Sequence, residues 1–499
     1  MGEKLYRPPD PPAEMTLEVV KERAVKGILT LTVRTLFLRF ISFVAQGFLW
    51  AFLEPKHFGI FITVSAVVNF LSYFADIGLG AALIQKKEKP RDEDFRTVFF
   101  VQESLVIIVS LFLILISPVL AKTHSLSREG IFLLYALTTA FFLASLKNIP
   151  SIILERRLEF GKFVIPQIVE DLVYNLSIVF FAWRGFGITS FTYSVLIRGL
   201  VGIVTIYALL PWKPGLSFSK RSLKNLLSFG VPYQLNNFLA TLKDDGLTIL
   251  LGSILGPSGL GILGTAQKAS QYPLRFFMDN VTKVTFPAFS RMQEDKAQLA
   301  RVVTRSVFFI CFFVFPSLVG LVVFFPVIIE IIPRYQKWKP AYIPLIFFSI
   351  NSLIGAFTTQ FTNTLNAIGR IRTTFKLMIM WTSLTFIFIP FLAIKNGVVG
   401  AAFGHFLVAL SSFLVLFILK RFVNFDLILS IIKPFLASLL MGAFLALLKI
   451  YFRPYSLVNF ILMVLIGGLF YISCLYLMVG GSFLRDFKKT FLIVFLKKA

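Results

Sequence analysis

Residues 457–480 read LVNFILMVLIGGLFYISCLYLMVG and contain no charged side chain. A helix rises about 1.5 Å per residue, so a run of this length crosses a hydrocarbon core of about 30 Å. Similar apolar runs recur from residue 28 onward. Because lipid offers the backbone no hydrogen-bond partner, each run must satisfy its own N–H and C=O groups as a helix. The sequence therefore predicts an all-α protein that crosses a membrane many times.

The composition of the whole chain agrees with this reading. Of its 499 residues, 57% are hydrophobic and 15% charged, whereas soluble domains are about 45–50% apolar and about 25% charged. Segmenting the chain by length and hydropathy gives about fourteen crossings. They are residues 28–51, 58–80, 97–121, 130–153, 163–183, 186–210, 229–254, 258–281, 302–325, 340–364, 373–394, 397–419, 431–450 and 457–480.

The basic charge follows the loops between these crossings. The formal net charge is +25, and most of the 50 Lys and Arg residues fall in cytoplasmic loops and ends if the N-terminus is cytoplasmic. This is the positive-inside pattern. It predicts a multi-pass inner-membrane protein with both termini in the cytoplasm. Nucleic-acid binding is not expected, because no basic soluble domain is present to carry it.

The crossings divide the chain into six predicted regions. The basic tail either lies as a helix on the anionic inner leaflet or is a plain cytoplasmic end, and the residues leave both interpretations open. The regions are a cytoplasmic leader and interfacial segment (1–27), an N-terminal six-helix bundle (28–210), a cytoplasmic linker (211–228), a C-terminal six-helix bundle (229–420), two additional transmembrane helices (421–480) and a basic amphipathic cytoplasmic tail (481–499).

A short repeat links the two predicted bundles. LEPKHFGI at residues 53–60 recurs as LGPSGLGI at residues 255–262, each copy at a predicted outer loop. The second copy comes six predicted crossings after the first. Because this number is even, the two bundles share one orientation. This predicts a pseudo-two-fold axis along the membrane normal, with a central cavity between the bundles.

Polar residues at helical spacing mark four of the predicted helices, namely 1, 2, 7 and 8. Ionisable groups in a membrane are costly and usually face a wet cavity or each other. We therefore expect these stripes to line the central cavity. The predicted substrate-binding residues are Arg39, Lys243, Lys268, Arg275, Asn69, Asn237 and Tyr272, and the candidate ion-coupling residues are Asp76, Asp244, Asp245 and Asp279.

The alternative is that these charges form structural ion pairs, for example between Lys243 and Asp244 or Asp245. Another set of charged residues lies toward helix ends, where pairing or interface contacts are expected instead of substrate contacts. This set is Glu103, Glu170, Asp171 and Arg198.

Signatures of catalysis are missing from the sequence. It has no G-x-x-x-x-G-K-[ST] phosphate loop, and His57, His124 and His405 lack metal-ligand spacing. We therefore expect no enzyme activity, no metal and no cofactor.

Several segments resemble those of a known family. The sequence is similar to bacterial polysaccharide-unit flippases of the multidrug/oligosaccharidyl-lipid/polysaccharide exporter superfamily. The similar segments are PKHFG at 55–59, FADIGLGAALIQ at 74–85, FPAFSRMQ at 286–293, Trp338 with Pro340, and NTLNAIGR at 363–370.

The resemblance implies two six-helix bundles with two trailing helices, and alternating access of a cavity lined by helices 1, 2, 7 and 8. It also implies the substrate, an undecaprenyl-pyrophosphate-linked oligosaccharide moved from the cytoplasmic to the periplasmic leaflet for O-antigen, capsule or exopolysaccharide synthesis. Membrane lipids are expected partners, and the polysaccharide polymerase and chain-length regulator are further candidates.

Two other functions stay open at this point. A multidrug or cation antiporter of the same superfamily would need a cavity dominated by acids, whereas the stripes here are balanced to basic. A polyprenyl-dependent membrane glycosyltransferase or polymerase would need a large periplasmic loop, and the sequence has none of that size.

Overall fold

The computed structural model describes residues 17–86, 88, 90–215, 217–453 and 455–480, with side chains from residue 30 onward except at a few helical positions. Most of the predicted leader and the whole predicted tail lie outside these residues. The regular elements described are all helical, and π turns at Leu242–Gly246 and Ile428–Ile432 and a 3₁₀ segment at Pro333–Ala341 join some of them. The helices are α1 Leu17–Phe52, α2 Pro55–Ser72, α3 Leu79–Gln85, α4 Asp92–Thr123, α5 Arg128–Leu146, α6 Asn148–Arg156, α7 Phe160–Trp183, α8 Thr189–Leu209, α9 Lys220–Thr241, α10 Leu247–Arg291, α11 Lys296–Ile331, α12 Tyr342–Ala367, α13 Ile371–Ser411, α14 Phe413–Lys420, α15 Lys433–Tyr451 and α16 Leu457–Val479.

The all-α membrane fold is confirmed. In the described part of the chain, 11 helical runs are long and apolar enough to cross a membrane. Two of these runs are kinked, Phe238–Arg291 at Gly256 and Ile371–Lys420 at Asn396 and Gly397. Each kink falls between two predicted crossings. The count of fourteen crossings stays a prediction.

The kink in α10 lies in the second copy of the repeat. Gly256 has φ +65°, a left-handed conformation that glycine adopts without steric cost. Pro257 follows, and a proline both disfavours helical geometry in the residue before it and suits the first turn of a new helix. In the first copy, Pro55 likewise begins α2. Both copies therefore restart a helix in the same way.

The second predicted crossing is shorter in the structure than in the sequence prediction. We expected one helix over 58–80, but α2 ends at Ser72 and α3 begins at Leu79. Between them, Asp76 Oδ1 accepts a hydrogen bond from Gly78 N at 3.0 Å, and Gly78 has φ +76°. This side-chain bond lies in the turn that follows α2, and Gly78, in a left-handed conformation that glycine adopts without steric cost, directly precedes α3.

The chain forms two compact units, residues 1–261 and residues 262–499. In the first unit, a core of fully buried aliphatic residues joins α3, α4 and α6 and includes Leu83, Val98, Ile149 and Leu154. The predicted boundary between bundles at 211–228 stays a prediction.

The second unit is built around α11. One side of α11 packs on α12 and α13, with Val307, Ile310 and Phe315 almost wholly buried. Its other side packs on α15 and α16, where Tyr471 donates a hydrogen bond to the Phe312 carbonyl at 2.9 Å. The two trailing helices are therefore held by α11.

Ion pairs link helices of the first unit. Lys147 Nζ lies 2.7 Å from Glu170 Oε1, and Arg198 Nη2 lies 2.7 Å from Asp171 Oδ1. Glu103 Oε2 accepts from Ser145 Oγ at 2.9 Å. These contacts confirm the prediction that this set of residues has pairing or interface roles.

His124, between α4 and α5, gives the first unit a pH dependence. Its side chain is buried, and burial lowers its pKa below the ordinary value of about 6.5. The folded state thus binds fewer protons than the unfolded chain. Stability is complete above about pH 6.5 and is lost as the pH falls through the lowered value.

Thermal unfolding of the detergent-solubilised protein should show this loss as a Tm that declines under acid. The His124→Gln protein should have a flatter profile over the same range, because its buried side chain gains no charge. Identical Tm profiles for the two proteins would show that His124 does not contribute.

Candidate functional site

The π turn between α9 and α10 carries three of the predicted site residues. Lys243 Nζ lies 3.6 Å from Asp244 Oδ1, and the side chains are 36% and 73% exposed. Asp245 is half-buried in the same turn. π turns inserted into helices are frequent at functional sites, because the extra residue widens the turn and redirects side chains. The structural ion pair considered from the sequence is thus present, in a long and open geometry.

The α1 stripe is partly structural. Arg39 is half-buried. One turn further along, Ser42 Oγ accepts from Asn175 Nδ2 of α7 at 3.5 Å, and Gln46 is buried. Arg34, near the start of the stripe, donates to Gln167 of α7. Part of this stripe therefore packs against α7.

The second helix of the repeat places its polar residues beside the π turn. α2 packs against the turn that contains Lys243, and Asn69 on α2 is exposed. Asp76 is exposed in the turn that follows α2. Asn237 belongs to α9, and its side chain is outside the part of the structure that is described. The structure thus brings the α2 stripe and the π turn together.

In the second unit, α10 carries the remaining site residues on successive turns. Lys268 and Arg275 are exposed, and Tyr272 is half-buried. Arg275 Nη1 lies 3.8 Å from Asp279 Oδ1, with the arginine side chain 60% exposed. A pair of this length and exposure contributes little to stability.

The pairs of these two cations differ in geometry from the buried pair of Lys147 and Glu170 in the first unit. Lys147 and Glu170 are 16% and 11% exposed and 2.7 Å apart. Lys243 and Arg275 are more exposed, and each lies more than 3.5 Å from its neighbouring acid.

Sequence reasoning missed two features of this region. The π turn was not predicted, although Lys-Asp-Asp-Gly at 243–246 is an unusual insertion in an apolar run. A close approach of Gly78 and Gly230 was also missed. The sequence marks only the first of these glycines, within FADIGLGAALIQ.

A metal centre is not seen among the residues described. No group of three or more His, Cys, Asp or Glu side chains there could hold a metal ion.

Comparison with known proteins places the chain in a family. A model of the family described as polysaccharide biosynthesis protein matches residues 49–342, more than half of the chain. The lipopolysaccharide biosynthesis protein WzxC of Escherichia coli is 23% identical over 401 residues, covering 78% of this chain and 79% of WzxC. The succinoglycan biosynthesis transport protein ExoT of Rhizobium meliloti is 23% identical, covering 56% of each chain.

Solved structures agree on the fold. A lipid II flippase MurJ in an inward closed conformation is similar with a TM-score of 0.72 and 18% identity, covering 90% of this chain and 98% of MurJ. An inward-facing multidrug resistance transporter of the MATE family is similar with a TM-score of 0.56 and 17% identity, covering 79% of this chain and 98% of the transporter. The chain therefore belongs to the family described as polysaccharide biosynthesis protein.

Proposed function

We propose that the protein is a flippase that moves undecaprenyl-pyrophosphate-linked oligosaccharides from the cytoplasmic to the periplasmic leaflet of the inner membrane. The observation that carries the proposal is that a member of a polysaccharide biosynthesis family places exposed or partly exposed cations, Lys243 and Arg275, within helical runs long and apolar enough to cross a membrane. Names of relatives support it, since they refer to lipopolysaccharide and succinoglycan biosynthesis. In this role the protein acts without catalytic chemistry.

The substrate's chemistry explains why such cations are needed. A pyrophosphate is a dense anion, and moving it through a low-dielectric slab is opposed by the loss of its hydration. Cations in a wet cavity offset that loss by Coulomb attraction, which is less screened there than in bulk water. Guanidinium groups, as in Arg39 and Arg275, also match phosphate oxygens in geometry. We propose Lys243 and Lys268 as further contacts.

Uncharged polar groups complete the proposed cavity. Asn69, Asn237 and Tyr272 can hydrogen-bond to sugar hydroxyls or phosphate oxygens. Tyr272 also presents an aromatic face, and amphipathic rings suit a surface that is part wet and part apolar.

Ion coupling is proposed for the acids of the same region. Asp244 and Asp245 adjoin Lys243, and Asp279 adjoins Arg275. An acid that exchanges its cationic neighbour for a proton or sodium ion when the pyrophosphate binds would link transport to an ion gradient. Asp76 is the remaining candidate.

A deletion strain tests the proposal. Cells that lack this protein should lose surface polysaccharide and accumulate the undecaprenyl-pyrophosphate-linked oligosaccharide, because synthesis continues while translocation stops. Both changes should be reversed by the parent gene on a plasmid. Normal surface polysaccharide with no accumulated lipid intermediate would contradict the proposal. Altered resistance to cationic drugs in the same strain would instead favour the antiporter.

A further inference from the structure

The two copies of the repeat contact each other reciprocally. A Cβ atom built on Gly59 would lie 2.6 Å from the carbonyl carbon of Pro257 and 2.9 Å from Gly261 N. A Cβ built on Gly261 would lie 2.7 Å from the carbonyl carbon of Pro55 and 3.0 Å from Gly59 N. Each glycine thus meets the proline carbonyl of the other copy, as a local two-fold axis requires. We call this contact the first glycine latch.

This approach of two backbones is possible only for glycine. The hydrogen that occupies the Cβ direction points at a carbonyl group, the geometry of the Cα–H···O contacts between closely packed helices. Real Cβ atoms essentially never come within 3.0 Å of another heavy atom. An alanine at Gly59 or Gly261 must therefore push backbone away from backbone, since no flexible side chain is there to yield.

A second pair of glycines meets in the turn between α2 and α3. A Cβ on Gly78 would lie 2.8 Å from the carbonyl carbon of Gly230 on α9, and a Cβ on Gly230 would lie 2.7 Å from the Ile77 carbonyl oxygen. We call this contact the second glycine latch. Beside it, the Tyr73 hydroxyl donates to the Gln234 carbonyl.

Contacts between the latches run in antiparallel order along one seam. From the first latch inward, a Cβ on Gly252 would lie 2.9 Å from Thr63 Oγ1. Near the second latch, the rings of Tyr73 and Phe238 are 5.8 Å apart. α2 therefore lies against the α9–α10 run from one end to the other.

We propose that the two glycine contacts are latches that hold this seam shut, the first on the periplasmic side and the second on the cytoplasmic side. The inference rests on the proposed function, in which α2 belongs to the first predicted bundle and α9–α10 to the second. Translocation then opens one latch while the other stays closed. Glycine lets the two backbones of each latch come into direct contact.

Cysteine labelling from the two sides of the membrane tests the two latches without any substrate. Two buried residues serve as single-cysteine reporters, Thr63→Cys near the first latch and Ala75→Cys near the second, in a background with Cys311→Ala and Cys474→Ala. Labelling by a membrane-impermeant maleimide is measured in right-side-out and inverted vesicles.

Gly59→Ala or Gly261→Ala should raise labelling of Thr63→Cys from the periplasmic side by about tenfold, because overpacking of this size shifts a two-state equilibrium by that order. Gly230→Ala should raise labelling of Ala75→Cys from the cytoplasmic side instead. Gly161→Ala and Gly468→Ala are matched controls, since a Cβ at either position meets no atom within 4 Å. Equal labelling in the latch variants and these controls would overturn the proposal.

A disulfide tests the first latch even if the alanine variants are poorly produced. Cysteines at Thr63 and Gly252 would be close enough to bond. Oxidation should hold the seam shut and stop polysaccharide export, and dithiothreitol should restore it. Export at the parent rate with the disulfide formed would refute the latch. The two proposals can fail separately. If the parent protein supports no polysaccharide export but the labelling changes still occur, the proposed function is wrong and the latch proposal is supported.

Discussion

Polysaccharide export should fall at least about 30-fold when either Arg39 or Arg275 is replaced by alanine, with the amount of protein in the membrane unchanged. Truncating one side of a desolvated charge contact costs about 2–5 kcal/mol, and each 1.4 kcal/mol is about tenfold. Arg275 lies 3.8 Å from Asp279 and is 60% exposed, and an ion pair of this geometry contributes little to stability. Arg39→Lys and Arg275→Lys should keep partial activity, because charge remains while bidentate geometry is lost.

A double variant at Arg275 and Asp279 separates substrate binding from ion pairing. If Arg275 only neutralises Asp279, then Arg275→Ala/Asp279→Asn should restore export. If Arg275 binds pyrophosphate, the double variant stays inactive. Arg453→Ala is a matched control, because Arg453 has a similarly long pair with Glu330 at 3.9 Å and is 68% exposed. Export and membrane abundance are measured on the same cells, and normal export from Arg39→Ala/Arg275→Ala would rule out the binding role.

The largest effect on stability is expected at the buried pair of the first unit. Glu170→Ala leaves Lys147 as an uncompensated charge among buried groups, which costs about 3–5 kcal/mol. Membrane abundance and thermal stability in detergent should both drop sharply. Gly202→Ala should act in the same direction, because its Cβ would lie 2.5 Å from Glu170 Cδ and 2.7 Å from Lys147 Nζ.

Removing both charges should reverse most of this loss. In Lys147→Met/Glu170→Gln no buried ion remains unpaired at this position, and replacing a buried pair by neutral groups is often neutral in stability. Arg198 keeps its bond to Asp171 at 2.7 Å. The control is Asp92→Ala, which breaks the 2.7 Å pair with the 43% exposed Arg96 and should cost at most about 1 kcal/mol. Equal losses at Glu170 and Asp92 would contradict the argument from burial.

The sequence alone determined the fold class, because lipid leaves an apolar run no alternative to a helix. It also placed a break between predicted crossings at each of the two kinked runs, and the kinks lie at Gly256 and at Asn396 and Gly397. The family resemblance rested on short motifs, and the comparisons confirm it. Pairing of Glu170 and Asp171 was predictable from the cost of a lone charge in a membrane.

Tertiary structure decided which polar residues pair tightly and which stay open. Periodicity treats the stripe on α1 and the one on α10 alike, yet Ser42 bonds to α7 while Arg275 is exposed. The break between α2 and α3 contains a local side-chain bond and a left-handed glycine that hydrophobic periodicity does not reveal. The reciprocal contact of Gly59 and Gly261 was visible in the sequence only as a repeat. Spacing along one helix fixes which residues share a face, whereas distant segments meet only through the packing of the whole chain.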